Sequence, residues 1–567
     1  MQRRSLRFLL PPIALLLALV GMFSASFVFA NWDHGSSLAA SAPSAKRAPA
    51  QTVSPHTVNM QNVAAEATSA PATHVQHMPF LTGVSPAVYA QRKQAAAHNK
   101  NAPVDTSAIT AIDTPTTTTK FAGQGDTCGC QPPDQALAAS SSWVLQGVNT
   151  SFAVYNTSGT RQSGWPKTAI SFFGIPNPLP AGCASSPFTS DPRAFYDPTD
   201  GRFWVAMLEV EGAFGINTSC NEVTRYWIAV SQTSNPNGTW NVYNFNMAIT
   251  SGTGSCATCA ADYTEFGFDQ TAIYFSGNMF TKSGTAYDYA ESFSALKSTM
   301  ESGGTVTAYG FYDFSANGVL VDTVQPVENE ASSGPGAGLL INSFDANGDG
   351  THDCVTTACS GVVVWAIANP GTSTTSATGL VISTSTYILP PLADEPGCSG
   401  CVDTNDTRIS GTPVYQQGLI SFSLNTGLNN GTHVVPASFW GQAQPTISGG
   451  KITGGSIFQS GTVHFTGDRS AFFGALMATS SGNLLIVFDT SSSTINPGIM
   501  YATRLTTDTK GKFEAALFLK KGTTATGDQR WGDYEATSYD GSSTNHTWFA
   551  AQYSNGDWAT YIGEVTF

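Results

Sequence analysis

The sequence predicts an all-β protein, a seven-bladed β-propeller, from three observations: a recurring acidic motif, a charge-poor composition, and short β-rich runs between turn signals. The motif is an acidic residue just before or at the start of a small-residue or aromatic run. It occurs at Asp134 (PPDQA), Asp191 (DPRAF), Asp262 (DYTEF), Glu328 (PVENEA), Asp406 (DTRIS), Asp468 (DRSAF) and Asp533 (WGDYEA). The mean interval is about 66 residues, room for one four-stranded blade with long loops. The repeat is degenerate, so six or eight blades stay open. Only 11% of residues are charged, against about 25% in an average domain. Polarity carried by hydroxyls and amides suits turns and sheets better than helix surfaces. Aromatic and β-branched runs at 143–148, 203–210, 226–230, 272–276, 362–367, 419–424, 484–488 and 548–553 are bounded by Gly, Asn, Asp, Pro or Ser and read as strands. One helix is expected inside the domain, at 287–300.

From the N-terminus, Arg3, Arg4 and Arg7 precede a nearly continuous apolar stretch from residue 8, and Val28-Phe29-Ala30 forms a small-residue cleavage site. Residues 1–30 therefore read as a signal peptide; the same stretch is long enough to serve as an uncleaved membrane anchor. Arg3-Arg4-Ser5-Leu6 also resembles a twin-arginine signal. Residues 31–114 are rich in Ala, Thr, Pro, Ser and His without sustained periodicity. They cannot bury enough apolar surface to offset ordering entropy, so a disordered stalk or propeptide is expected, with a short helix at 85–99. The propeller occupies 115–567. After Asp533 only three strands fit, and 116–121 is the natural fourth, outer strand, joining the chain ends and removing two exposed sheet edges.

The ten cysteines all follow residue 127 and cluster as Cys128/Cys130, Cys256/Cys259, Cys354/Cys359 and Cys398/Cys401, leaving Cys183 with Cys220. Behind a signal peptide, local disulfides are the expected reading, whereas zinc would be favoured in a cytosolic chain.

The net charge of −14 argues against a nucleic-acid partner, which requires a basic face. No phosphate loop, dinucleotide fingerprint, HExxH or G-x-S-x-G is present. Within the domain, His352, His433, His464 and His546 are isolated, which opposes a His-rich zinc site or a Ser-His-Asp triad. The strongest local motif is Asp345-Ala-Asn347-Gly-Asp349-Gly-Thr351-His-Asp353. Oxygen ligands on alternate residues, with Gly at the sixth position, match a calcium loop. Thr356 replaces the terminal Glu of an EF-hand, so Asp345, Asn347, Asp349, the Thr351 carbonyl and Asp353 are expected to bind Ca2+ in a hairpin loop like those of integrin-type propellers. A metal-free Asx/Gly turn is the bland alternative.

The segments PPDQALAASSSWVLQGVNTSFAVYN, DPRAFYDPTDGRFWVA, DYTEFGFDQTAIYFSGNMF and GDQRWGDYEATSYD resemble secreted bacterial proteins with a sialidase-like propeller, mostly without assigned activity. The resemblance spans 115–567, and RWGDY is its most specific element. Gln135-Ala136 departs from the usual Asn-Gly after PPD. Several motif acids have an Arg beside them: Asp191/Arg193, Asp406/Arg408, Asp468/Arg469 and Asp528/Arg530. Sialidases hold a substrate carboxylate with three Arg and use an acid with a Tyr–Glu pair. By that likeness, Arg193, Arg408 and Arg530 with Asp191, Asp262, Glu265, Asp533 and Tyr534 are the catalytic candidates. No FRIP element is present; the nearest, DTRIS, lacks its Phe and Pro. The bland expectation, and the favoured one, is that these pairs tie blades together. The leading functional reading is a secreted, calcium-stabilised propeller that binds an extracellular glycan or surface polymer. A sialidase-like glycoside hydrolase is the alternative, and a structural or adhesive surface protein is the third. A membrane enters only if the N-terminal apolar segment is uncleaved.

Overall fold

The computed structural model describes residues 41–66, 76–77, 83–106, 115–177, 187–211, 224–248, 259–281, 286–331, 334–344, 354–355, 357–527 and 530–567. The export signal at 1–30 and the calcium loop at 345–353 lie outside the described residues.

The chain builds successive antiparallel four-strand meanders in a propeller-like arrangement. Ala136–Ala139, Trp143–Val148, Ser151–Asn156 and Lys167–Thr168 form the first. The second runs from Pro187–Asp197 to Thr239–Asn246, and the third from Ala260–Phe268 to Val306–Ala316. Gln325–Pro326, Val414–Gln416 and Phe472–Ala478 open the next three, and Ala536–Asp540 opens the last. Hydrogen bonding does not divide these into seven separate sheets. The first and last meanders join through a parallel bridge, Asp540 to Ala139, into one eight-stranded sheet. Added strands widen the second and third meanders to five and seven strands.

Strands in the middle of a meander are buried on both faces, as in Leu484–Ser492. Sheets packed on either side turn the half-buried alternation of a solvated strand into a continuous apolar run. The outer strand Ser376–Tyr387 instead shows Ser and Thr to solvent. Aromatic contacts fasten neighbouring sheets: Phe195 stacks on Phe268 at 4.0 Å, Phe245 lies 4.7 Å from Phe275, and Phe314 meets Trp365 edge-on at 4.9 Å.

The closing strand pairs with the C-terminal strand as expected, but spans Thr119–Gly125 where the sequence placed it at 116–121. Thr119–Gly125 pairs antiparallel with Trp558–Thr566, Phe121 opposite Ile562. Phe121 packs against Tyr155 and Trp548. A Cβ on Gly123 would stand 2.4 Å from Thr560 Oγ1 and 2.5 Å from Gln146 Oε1, so the strand lies this close only with glycine.

Two expectations are corrected. Parts of the segment expected to be disordered are placed on the sheets: Ser44–Arg47 and Gln51–Val53 pair with Val306–Ala316, and His56–Asn59 with Thr239–Asn246. An unpaired sheet edge offers backbone donors and acceptors that a polar segment can satisfy without an apolar core of its own. Helix α1, Pro86–Ala97, is capped by Ser85, close to the expected 85–99. The expected helix at 287–300 is instead the strand Tyr287–Leu296 followed by the short helix Lys297–Glu301. Strands on both sides fix its register and override local propensity.

The expected disulfides Cys128–Cys130, Cys354–Cys359 and Cys398–Cys401 are formed. Cys259 is also disulfide-bonded; Cys183, Cys220 and Cys256 lie outside the described residues. Among the described residues no helix is long and apolar enough to cross a membrane.

Candidate functional site

The innermost strands of five meanders carry a residue in the left-handed region within them or just before them, Asp134 (φ 39°), Asp191 (54°), Tyr263 (52°), Thr323 (48°) and Phe473 (55°), and Asn405 (53°) adopts the same backbone in the segment that leads to Val414–Gln416. Such backbone persists in non-glycine residues only where neighbours over-determine it. Here the neighbouring meander supplies the clasp. Asp191 N–H donates to Asn149 Oδ1 at 2.8 Å, Thr323 N–H to Asn278 Oδ1 at 2.6 Å, and Phe473 N–H to Asn425 Oδ1 at 2.7 Å. Asp191 Oδ2 accepts from Thr264 N–H, and Asp134 Oδ1 from Asp533 N–H. These clasping Asn residues were not singled out in the sequence. Their signal is a small residue, any residue, then Asn in the latter half of a second strand or just after it: Gly147-Val148-Asn149, Ser276-Gly277-Asn278 and Ser423-Leu424-Asn425.

This register corrects two repeats. Asp322, beside left-handed Thr323, holds the place assigned to Glu328, which follows Gln325–Pro326 instead. Phe473 marks the sixth start in place of Asp468, whose carboxylate accepts from Ser493 N–H.

Seven of the eight candidate residues lie together, directly or through Tyr263, and Asp262 precedes Tyr263 on its strand. Asp134, Asp191 and Asp533 are all buried and bring one carboxylate oxygen each within 4.8 Å of the others. Arg530 donates to both oxygens of Asp533, and Asn405 Nδ2 adds a third bond at 2.8 Å. Arg193 bonds Glu265 of the next meander at 2.6 Å, with Asp191 on its own strand held by other partners. Arg408 grips Asp406 with two bonds of 2.8 and 2.6 Å. Two tyrosines complete the packing: the Arg193 guanidinium lies 3.4 Å from the Tyr534 ring centre, and Arg408 lies 4.5 Å from that of Tyr263. The rings meet edge-on at 5.7 Å. Arg469 stands apart, stacked on Phe465, and Asp528 lies outside the described residues.

Burial, reinforced by neighbouring acids, holds Asp134, Asp191 and Asp262 above the usual carboxylate range. Burial lifts Glu265 to about 8 against the pull of Arg193. It also opposes charge on Arg193, Arg408 and Arg530, but Glu265, Asp406 and Asp533 outweigh it and raise all three. The cluster is a packed ring of Arg–carboxyl hydrogen bonds and guanidinium–tyrosine stacks.

Arg530 belongs both to this ring and to the wall of an adjoining cavity of about 1240 Å³. Tyr89 and Lys93 of α1 line one side; Asp394, Asp403 and His433 line the other. Among the described residues three groups lie close enough to hold a metal by proximity, Asp134/Asp191/Asp533, Asp197/Asp200/Glu301 and Asp126/Cys128/Cys130, the last with its cysteines joined in a disulfide. In the second, the Lys297 ammonium already pairs with Asp197 and Asp200.

No protein-family profile and no curated protein matches this chain. Distantly similar solved structures include a Hadza microbial sialidase (10% identity, 77% of this chain and 65% of that one, TM-score 0.35). The chain thus spans less than two thirds of that sialidase. The hemagglutinin-neuraminidase ectodomain of parainfluenza virus 5 is 9% identical over 69% of this chain and 83% of its own, with TM-score 0.37. An ulvan lyase of polysaccharide lyase family 25, bound to -[GlcA(1-4)Rha3S]-, is 12% identical over 80% and 96%, with TM-score 0.35. At these distances no residue role transfers.

Proposed function

We propose that this chain is an exported, non-catalytic seven-bladed propeller that binds an extracellular glycan or surface polymer in the cavity beside Arg530. The observation that carries this reading is the division of labour between the Arg ring and the cavity beside it. The three guanidiniums of the ring are engaged by Glu265, Asp406 and Asp533, while the cavity next to them has apolar, aromatic and hydrogen-bonding walls of oligosaccharide size. Seven blades follow if the eight-stranded sheet is two blades joined by one bridge; contacts between successive innermost strands support that count. The disulfides suit an oxidising compartment. Asp345, Asn347, Asp349, Thr351 and Asp353 are the proposed calcium ligands.

The test is calorimetric titration of the exported chain with neutral and uronate-containing oligosaccharides, in calcium and in excess chelator. Saturable binding is expected, weakened about tenfold by His433→Ala with an unchanged melting midpoint. Chelation lowers that midpoint in the wild type but not in Asp349→Ala. Release of new reducing ends would replace this reading with the hydrolase; no binding to any oligosaccharide would remove it.

A further inference from the structure

Helix α1 forms part of the cavity wall with little apolar adhesion. Lys93 and Ala96 are its buried residues, and Val88 is 39% exposed. A twelve-residue helix is marginal by itself in water, so what holds it in place is polar. Lys93, 1% exposed, donates to Thr404 Oγ1 at 2.9 Å and to the Asn405 carbonyl at 2.5 Å, and its ammonium lies 3.7 Å from Asp403 Oδ1. Tyr89 donates its hydroxyl proton to the same Asp403 oxygen at 2.8 Å. Asp403 in turn accepts from Asn405 N–H, and Asn405 reaches Asp533 in the Arg ring. The following segment is pinned differently. Asn99 Nδ2 donates to the Val355 carbonyl, and backbone bonds tie Pro103 and Asp105 to Asn429. The helix therefore has a polar latch in its middle and a backbone anchor beyond its C-terminus.

We propose that α1 is a displaceable gate in the cavity wall, latched by Lys93 and Tyr89 on residues 403–405 and hinged at 99–105. The proposal rests on the cavity being the binding site. Opening returns the Lys93 ammonium, Asp403 and Tyr89 to water, which offsets much of the lost bonding, while little apolar surface is uncovered. Local opening should therefore lie far below global unfolding in free energy. Burial also lowers Lys93 to about 8 against the pull of Asp403 and Asp406, so the docked charge is held at a desolvation cost that opening relieves.

Hydrogen exchange followed by mass spectrometry on the full exported chain tests the gate without a ligand. Lys93→Met should accelerate exchange in 86–97 at least tenfold and leave the core strand Leu419–Asn429 unchanged; Tyr89→Phe should give a smaller effect of the same kind. Unchanged exchange in 86–97 would overturn the gate. So would acceleration that spreads to Leu419–Asn429, because α1 would then belong to the cooperative fold. For any oligosaccharide that binds the wild type, Lys93→Met should raise the association rate about tenfold, and an unchanged rate counts against the gate. If no oligosaccharide binds, the site reading fails while the exchange result still decides whether α1 opens.

Discussion

The Arg residues of the ring show what a short motif does and does not reveal. DPRAF and DTRIS look alike in sequence, each an acid with Arg two residues on. In DTRIS the pair is local, Arg408 on Asp406; in DPRAF the β-bulge between Ser190 and Arg193 re-aims the guanidinium onto Glu265 of the neighbouring meander. The residue types were legible because buried acids need partners. The partner was not, because a bulge leaves no clear trace in one sequence. Arg193→Ala removes the Glu265 bond and the stack on Tyr534 and leaves a buried polar group short of a partner, a loss of about 1–3 kcal/mol. Thermal and denaturant unfolding should show a drop of that size. Arg193→Lys should recover little, since an ammonium cannot reproduce both the Glu265 bond and the flat stack on Tyr534.

At the level of elements, strands with turn punctuation were readable, and so was the closing strand near residue 120. The strands at 44–59 were not. Their order comes from the open edges of Thr239–Asn246 and Val306–Ala316, a property of other parts of the chain. The same long-range dependence makes closure testable. Gly123→Val places a branched side chain against Thr560 and Gln146, and overpacking of this kind costs about 1–3 kcal/mol. Exchange should quicken first in Thr119–Gly125 and Trp558–Thr566, before the middle meanders respond. Uniform acceleration would mean that the chain-end strand pair is no weaker than the other meanders.

Across the whole molecule, low charge density conceals several acids placed where water cannot reach. Burial pushes Asp489 to about 8 despite a bond from Trp531, and Glu328 likewise to about 8, with the Asp197 charge adding to the effect. Glu535, beside Asp489, and Glu291 are held well above the carboxylate range. Among the described residues neither Glu291 oxygen has a hydrogen-bond partner. These folded-state values exceed the unfolded ones near 4, so the folded chain binds more protons across that interval. The associated stability is present below about pH 4 and is lost as pH rises through about 8. Melting midpoints should accordingly rise on acidification from pH 8.5 to 5.5, by about 5 °C. Glu291→Gln removes one of these titrations while keeping the shape. It should raise stability at pH 8, where folding no longer requires proton uptake at this position, with much less effect at pH 5. A midpoint that falls on acidification would mean these carboxyls are ionised inside the fold and paired with cations.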